Sequence, residues 1–134
     1  WVALAADQRA HGSHLRAATN RELARDAVAQ HAVTGGLLVA RDDDEIVGFV
    51  TFSKEQGDYD VDSRRGLIHD IFVRESYRSR GVGGRLLDAA EDRLASDGIE
   101  RVCLEVLANN AAARRFYERQ GYEEFRVEME KPVE

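Results

Sequence analysis

The sequence predicts a single α/β domain in which helices alternate with the strands of one sheet. Its 134 residues suit one domain. Two strand-like runs, LIHDIFV at 67–73 and RVCLEVL at 101–107, are separated by a segment with helical periodicity. The chain contains no repeat, no second-domain linker and no run of about 18 apolar residues.

Two helices are predicted at the amino terminus. The first begins at Trp1 and ends at Gly12. Thr19–Glu22 has the capping-box pattern, with a threonine at the N-cap and a glutamate three residues later, so the second helix begins there. It ends at Gly35 and presents one largely apolar face: Leu23, Ala24, Ala27, Val28 and His31.

A β-hairpin and a third strand follow. Leu37–Arg41 and Ile46–Ser53 are predicted strands, and the acidic run Asp42–Asp44 is the predicted turn between them. Residues 54–65 are polar, which predicts a loop. Leu67–Val73 is rich in β-branched and aromatic residues and is therefore predicted as the third strand.

The remaining chain alternates helix and strand. A helix follows the glycines at 81–84 and ends at Gly98, and Arg101–Leu107 is the next predicted strand. Asn110 is suited to cap a further helix, which Gly121 ends. Tyr122–Met129 alternates apolar and charged residues, which predicts a final strand.

The stretch RSRGVGGRLL at 78–87 concentrates positive charge and bare backbone in a chain whose formal net charge is −6. The first turn of a helix has unpaired N–H groups, and the helix dipole attracts anions there. Glycines let a phosphate approach those N–H groups, and arginines add charge that suits phosphate oxygens. The stretch therefore predicts a site for phosphate or pyrophosphate.

Two common nucleotide-binding motifs do not fit this stretch. A P-loop needs lysine and then serine or threonine after its last glycine, but Gly84 is followed by arginine and leucine. A Rossmann fingerprint needs a third glycine at position 86, which is a leucine here. The polar segment Arg74–Arg80 also separates the strand from the glycines.

A pattern that does fit is Arg-x-x-Gly-x-Gly, formed by Arg78, Gly81 and Gly83. With it, the chain resembles the GCN5-related N-acetyltransferase (GNAT) superfamily. A second motif, LEVLANNAAARRFYERQGY at 104–122, resembles the next strand and helix of that family. Its matching positions are Asn110, Ala113, Phe116, Tyr117 and Gly121.

The resemblance implies a single N-acetyltransferase domain over residues 1–134, with a mixed, mostly antiparallel sheet flanked by helices. It also implies a first family strand that would precede Trp1. The implied reaction is direct transfer of an acetyl group from acetyl-CoA to a primary amine of a small molecule or peptide, without a metal. The alternative is a non-catalytic acyl-CoA-binding or sensor module of the same fold.

The family's binding residues carry over to matching positions in this chain. Backbone N–H groups of Ile71, Phe72 and Val73 are implied to hold the acetyl carbonyl. Asn110 and Tyr117 are implied to contact the CoA arm. The pyrophosphate is implied to lie on one loop: Arg78, Ser79, Arg80, Gly81, Val82, Gly83 and Gly84.

Two catalytic positions are implied as well. Tyr117 matches the family's common general acid, which protonates the CoA sulfur. Glu105 is the first choice for the base, because it precedes Asn110 by five residues as in N-terminal protein acetyltransferases. His69 and Asp70 are rival bases, and water is a further option. Simple strand alternation would place His69 and Asp70 on opposite faces of the sheet.

Composition bounds the partners and the compartment. The acidic balance disfavours a nucleic-acid binder that depends on a broad basic surface, and no membrane partner is expected. Cys103 is the single cysteine, which fits a reducing cytoplasm. Homodimers are common in the family, so the resemblance implies one, although no residue pattern indicates it.

Overall fold

The computed structural model describes residues 1–9, 11–57 and 60–133. The helices are α1 (Val2–Arg9), α2 (Arg21–Thr34), α3 (Val82–Ser96) and α4 (Ala111–Arg119). The strands are β1 (Leu37–Asp42), β2 (Glu45–Lys54), β3 (Arg65–Val73) and β4 (Arg101–Leu104). Short 3₁₀ turns lie at Ala18–Asn20 and Glu75–Tyr77.

The four strands form one sheet in the order β1-β2-β3-β4. β1 pairs with β2 and β2 pairs with β3 in antiparallel fashion, whereas β3 and β4 are parallel. The predicted mixed, mostly antiparallel sheet is therefore confirmed. The hairpin turns at Asp43, which adopts a left-handed φ of 54° that aspartate tolerates better than most residues.

The core lies between α3 and one face of the sheet. The side chains that close it are Val50, Phe52, Ile68, Leu86, Leu87, Ala90, Leu94 and Ile99. Leu87 and Val50 are fully buried, and burying such a side chain stabilises the fold by about 1.5–3 kcal/mol. This packing fixes α3 against β2 and β3, and so places the amino terminus of α3 beside the end of β3.

The predicted capping box at Thr19–Glu22 is wrong. Helix α2 begins at Arg21, and Asn20 is its N-cap without a side-chain capping bond. The Asn20 side-chain amide instead donates to the Arg16 carbonyl at 2.7 Å. Thr19 lies inside the preceding 3₁₀ turn, so its backbone lacks the extended conformation typical of a capping residue.

The predicted final strand at Tyr122–Met129 is also wrong, because residues 122–133 join no ladder in the described chain. Sequence alternation does not supply a partner strand. Phe125, Val127 and Met129 are 68%, 71% and 89% exposed, so no packed face covers them.

Two further boundaries differ from prediction. The strand expected at Arg101–Leu107 ends at Leu104, where its pairing with β3 stops. The loop expected at 54–65 is shorter than predicted, because β2 includes Lys54 and β3 begins at Arg65. Asp58 and Tyr59 of that loop lie outside the described residues. Among the residues described, no helix is both long and apolar enough to cross a membrane.

Candidate active site

An opening separates β3 from β4 at their carboxyl ends. The parallel ladder joins Arg65–Ile68 to Arg101–Leu104 and then stops. β3 continues for the five residues His69–Val73, none of which pairs with β4, and the last four of them, Asp70–Val73, pair with β2. We call this space, between residues 69–73 of β3 and the chain after Leu104, the β3–β4 opening.

A β-bulge lies where the two strands part. Thr51 of β2 is opposite Asp70, but the next residue, Phe52, is opposite Ile68. His69 is therefore the extra residue on β3. A bulge bends its strand and increases the local twist, which accounts for the divergence of β3 from the shorter β4.

The bulge corrects the predicted orientation of His69 and Asp70. The Thr51 hydroxyl donates to Asp70 Oδ2 at 3.0 Å, and the Ser53 Oγ lies 2.6 Å from His69 Nε2. Thr51 and Ser53 are two residues apart on β2 and share a face. His69 and Asp70 therefore lie on the same face, not on opposite ones, because the extra residue resets the alternation.

Backbone groups of β3 point in known directions at the opening. The N–H groups of Asp70 and Arg74 donate to Thr51 Oγ1 at 3.1 Å and to the Val47 carbonyl at 2.8 Å, both towards β2. By strand alternation, the N–H groups of Ile71 and Val73 point away from β2 and into the opening.

Phe72 differs from its two neighbours. Its N–H has the same orientation as those of Asp70 and Arg74, so it faces β2 rather than the opening. Of the three positions predicted to hold an acetyl carbonyl, the geometry therefore favours Ile71 and Val73.

The loop before α3 has two left-handed residues. Ser79 has φ 62° and Gly81, the N-cap of α3, has φ 78°. An added Cβ at Gly81 would meet no atom of the described residues within 4 Å. The backbone at the start of α3 is therefore open on this side of Gly81.

Gly83 and Gly84 serve a different purpose from Gly81. A Cβ at Gly83 would lie 3.4 Å from Phe116 Cζ, and one at Gly84 would lie 3.4 Å from Gln120 Nε2. Both neighbours belong to α4 or its C-cap. These two glycines therefore lie where α3 packs against α4, a contact that the sequence pattern did not distinguish from anion binding.

The arginines of the loop make specific contacts. Arg78 Nε donates to the Val73 carbonyl at 3.0 Å, and its Nη2 lies 3.1 Å from Asp7 on α1. Arg78 therefore ties the loop to the end of β3. The Arg80 guanidinium lies 5.3 Å from the Tyr77 ring centre, and Arg80 lines a cavity of about 550 Å³ between β1 and α3.

Helix α4 carries two of the predicted residues. Asn110 is its N-cap, and its Oδ1 accepts from the Ala113 N–H at 3.2 Å, as predicted. Tyr117 is half-buried against Phe116 and Tyr122, with ring centres 5.2 and 6.0 Å apart. Burial raises the pKa of Tyr117 to about 12, so its hydroxyl keeps its proton at neutral pH.

Glu105 immediately follows β4 and is exposed. Ile68 is opposite Leu104 in the parallel ladder, so continued register would set His69 opposite Glu105. The first-choice base, Glu105, and one of its rivals, His69, thus each immediately follow the last β3–β4 pair, whereas the other rival, Asp70, is hydrogen-bonded to Thr51.

A cluster of three side chains, here called the histidine cluster, comprises His31, Ser53 and His69. The His31 and His69 ring centres are 5.0 Å apart. Partial burial and, secondarily, His31 lower the pKa of His69, and Asp70 opposes them. His31 and Ser53 were absent from the predicted site; their only sequence signal was a polar residue on an otherwise apolar helix face or strand.

The model of the acetyltransferase (GNAT) family matches residues 4–122 of this chain. The chain belongs to this family. A solved structure shows the same architecture. A GCN5-related N-acetyltransferase from Ralstonia eutropha JMP134 superposes on this chain with a TM-score of 0.75 at 24% sequence identity. That superposition covers 96% of this chain and 86% of the other.

Two curated relatives of this GNAT chain illustrate the range of the family. The uncharacterized N-acetyltransferase YhfO of Bacillus subtilis is 37% identical over 93 residues, which are 66% of this chain and 58% of YhfO. N-alpha-acetyltransferase 30 of Schizosaccharomyces pombe is 31% identical over 85 residues, 63% of this chain and 55% of that protein. The chain thus spans little more than half the length of these relatives.

Proposed function

We propose that this GNAT chain is an acetyl-CoA-dependent N-acetyltransferase that moves an acetyl group directly to a primary amine. The observation that carries the proposal is the β3–β4 opening, into which the N–H groups of Ile71 and Val73 point. The segment Arg78–Gly84, here called the glycine loop, lies beside the strand that borders this opening, because a Cβ at Gly83 would lie 3.9 Å from Val73 Cγ2.

The chain's groups fit the parts of acetyl-CoA. The N–H groups of Ser79–Gly84 and the first turn of α3 suit a pyrophosphate, because a helix amino terminus attracts anions. The open space beside Gly81 leaves room for the phosphate oxygens. Asn110 and Tyr117 on α4 are the proposed contacts to the remainder of the CoA arm.

The proposed chemistry uses one acid and one base. The amine attacks the thioester carbonyl, and the N–H groups of Ile71 and Val73 stabilise the charge that develops on its oxygen. The bond from carbon to sulfur breaks, and Tyr117 donates its hydroxyl proton to the sulfur. A base takes the proton that the amine loses; Glu105 and His69 are the candidates at the opening.

The proposed acceptor is a small molecule or a peptide. One relative is named as an N-alpha-acetyltransferase, which supports including peptide amino termini among the acceptors. The proposal places the protein in the cytoplasm, which fits its single cysteine. It also includes a homodimer, the common state of the family.

Thiol release from acetyl-CoA tests the proposal. The panel contains polyamines, aminoglycosides, amino acids and amino-terminal peptides, and a thermal-shift assay with CoA runs in parallel. We expect release that depends on one class of acceptor. A CoA-induced shift without release on any acceptor would favour the non-catalytic acyl-CoA-binding module, and the lack of any shift would contradict both functions.

Gly81→Val is expected to weaken CoA binding about tenfold. The added Cβ meets no described atom within 4 Å, so the main cost is the left-handed φ of 78°, worth about 1–2 kcal/mol for a residue with a Cβ. The free loop relieves this strain by leaving the conformation proposed to hold the pyrophosphate, and CoA binding must then restore that conformation. Gly81→Asn is the matched control, because asparagine adopts this conformation more readily. Calorimetric titration with CoA should rank affinity as Gly, then Asn, then Val; equal losses in both variants would contradict a backbone effect.

A further inference from the structure

We infer that His69 receives, through the Ser53 hydroxyl, the proton that the acceptor amine loses, and that His31 positions the imidazole ring of His69 for this step. This inference rests on the proposed acetyltransferase function and assigns one of its steps. It chooses the histidine over Glu105, the base that the sequence ranks first.

The position of His69 is set by the bulge. As the extra residue of β3, His69 is the first residue beyond the last β3–β4 pair, Ile68 with Leu104. Its ring is partly exposed, so an amine can reach it. Ile71 and Val73, whose N–H groups are proposed to face the acetyl oxygen, follow on the same strand.

Ser53 holds the ring in a defined orientation. Its Oγ lies 2.6 Å from His69 Nε2, a short hydrogen bond between neighbouring strands. A hydroxyl both donates and accepts. Ser53 can therefore donate its proton to Nε2 while its oxygen takes the proton that the amine loses.

Among the described residues, the groups recorded around His69 come from α2, β2 and β3. His31 faces it from α2, with the ring centres 5.0 Å apart. Asp70, its neighbour on β3, bonds to Thr51 through both its carboxylate and its N–H. Glu105 follows Leu104, the last β4 residue paired with β3, and is exposed.

These surroundings suit a base that works near neutral pH. Partial burial and the nearby His31 lower the pKa of His69, so the ring is neutral and able to accept a proton. An ordinary glutamate has a pKa of about 4.3, whereas histidine has about 6.5. An imidazole is therefore the stronger proton acceptor of the two side-chain types.

The step balances as follows. The nitrogen lone pair of the amine forms the bond to the acetyl carbon, and the carbon–sulfur electron pair leaves with sulfur. One N–H proton passes through the Ser53 hydroxyl to His69 Nε2, and sulfur takes the Tyr117 proton. The imidazolium then loses its proton to solvent, and Tyr117 regains one, so both groups return to their starting states.

The test is the pH dependence of kcat/KM between about pH 5 and 9, with the panel amine that turns over fastest. An α-amino group titrates near pH 7.7–8.0 and a lysine-like amine near 10.4. Titration of the acceptor amine therefore appears in the pH profile of kcat/KM at higher pH than titration of the base. We expect a lower limb below about pH 6.5 in the unaltered protein. His69→Gln should remove that limb and reduce kcat about 10²-fold, the lower end of the usual contribution from general base catalysis.

His31→Gln tests the positioning role. Because His31 lowers the pKa of His69, its removal should move the lower limb to higher pH, an effect that simple destabilisation would not produce. A proton NMR titration of the His69 ring should show the same displacement without any acceptor. His14→Gln is the matched control, because the exposed His14 ring hydrogen-bonds to Glu130 and does not belong to the histidine cluster; it should leave the profile unchanged.

The outcomes separate the two proposals. If the unaltered protein releases no thiol with any amine, the acetyltransferase function fails and the inference fails with it. If it turns over but His69→Gln keeps both the lower limb and the rate, the inference alone is overturned. Loss of the limb in Glu105→Gln instead of His69→Gln would likewise assign the base to Glu105.

Discussion

Tyr117→Phe is expected to lower kcat for acetyl transfer about 10³-fold, within the usual 10²–10⁴-fold contribution of a positioned acid. The substitution removes only the hydroxyl. The ring stays packed against Phe116 and Tyr122, so affinity for CoA should change less than threefold. Steady-state kinetics and calorimetric titration with CoA measure the two quantities separately.

Tyr122→Phe is the matched control for that prediction. The Tyr122 hydroxyl donates to Glu91 Oε2 at 2.6 Å, so it is occupied by a contact away from the β3–β4 opening. Its loss should leave kcat within about twofold and reduce stability by about 1 kcal/mol, the usual contribution of one hydrogen bond. Equal losses of kcat in both variants would mean that Tyr117 acts through packing rather than as an acid.

The pH dependence of the reaction should agree with an acid that is hard to ionise. Burial raises the pKa of Tyr117 to about 12, and a raised pKa keeps the acid form at every pH below that value. The rate should therefore not fall through loss of the Tyr117 proton at any pH up to about 10. A descending limb below pH 10 that disappears in Tyr117→Phe would contradict this expectation.

Gly36→Ala is expected to reduce the free energy of unfolding by about 3 kcal/mol, the upper part of the usual range for overpacking. An added Cβ would overlap the carbonyl oxygen of Phe52. The backbone cannot move aside freely, because the Gly36 N–H donates to the His31 carbonyl at 2.7 Å and its carbonyl accepts from the Phe52 N–H at 2.9 Å. Urea unfolding, monitored by circular dichroism, measures the change.

Gly57→Ala controls for the loss of glycine itself. A Cβ at Gly57 would meet no atom of the described residues within 4 Å, and replacing an unconstrained glycine commonly stabilises a protein by about 0.4–1 kcal/mol. The two variants should therefore differ in sign. A loss below about 1 kcal/mol in Gly36→Ala would show that the turn between α2 and β1 shifts without breaking its hydrogen bonds.

Local signals in the sequence were sufficient for most of the elements. The helical periodicity of the segment between the two strand-like runs predicted α3, since a helix repeats every 3.6 residues whatever it packs against. Gly81, Asn110 and Gly121 mark helix ends because their conformations or side chains satisfy backbone groups nearby in the chain. The two motifs that resemble the GNAT family lie in such local segments, so the family was also accessible from sequence.

Features that depend on register were not accessible in this way. A single extra residue, His69, reverses the face of every side chain beyond it, and no propensity marks which residue of LIHDIFV will be the extra one. The terminal alternation at Tyr122–Met129 predicted a strand, but pairing requires a partner at the correct distance, which the described chain does not provide.

The sequence by itself therefore determined the family, the glycine loop at the start of α3 and the candidate acid Tyr117, because each depends on residues close together in the chain. Only the tertiary structure decided that the backbone N–H groups of Ile71 and Val73 point into the β3–β4 opening. It also decided that the side chains of His31, Ser53 and His69 meet. These three side chains come from α2, β2 and β3. Their meeting depends on how a helix packs on a sheet and where one strand bulges, both of which are set by contacts between distant parts of the chain.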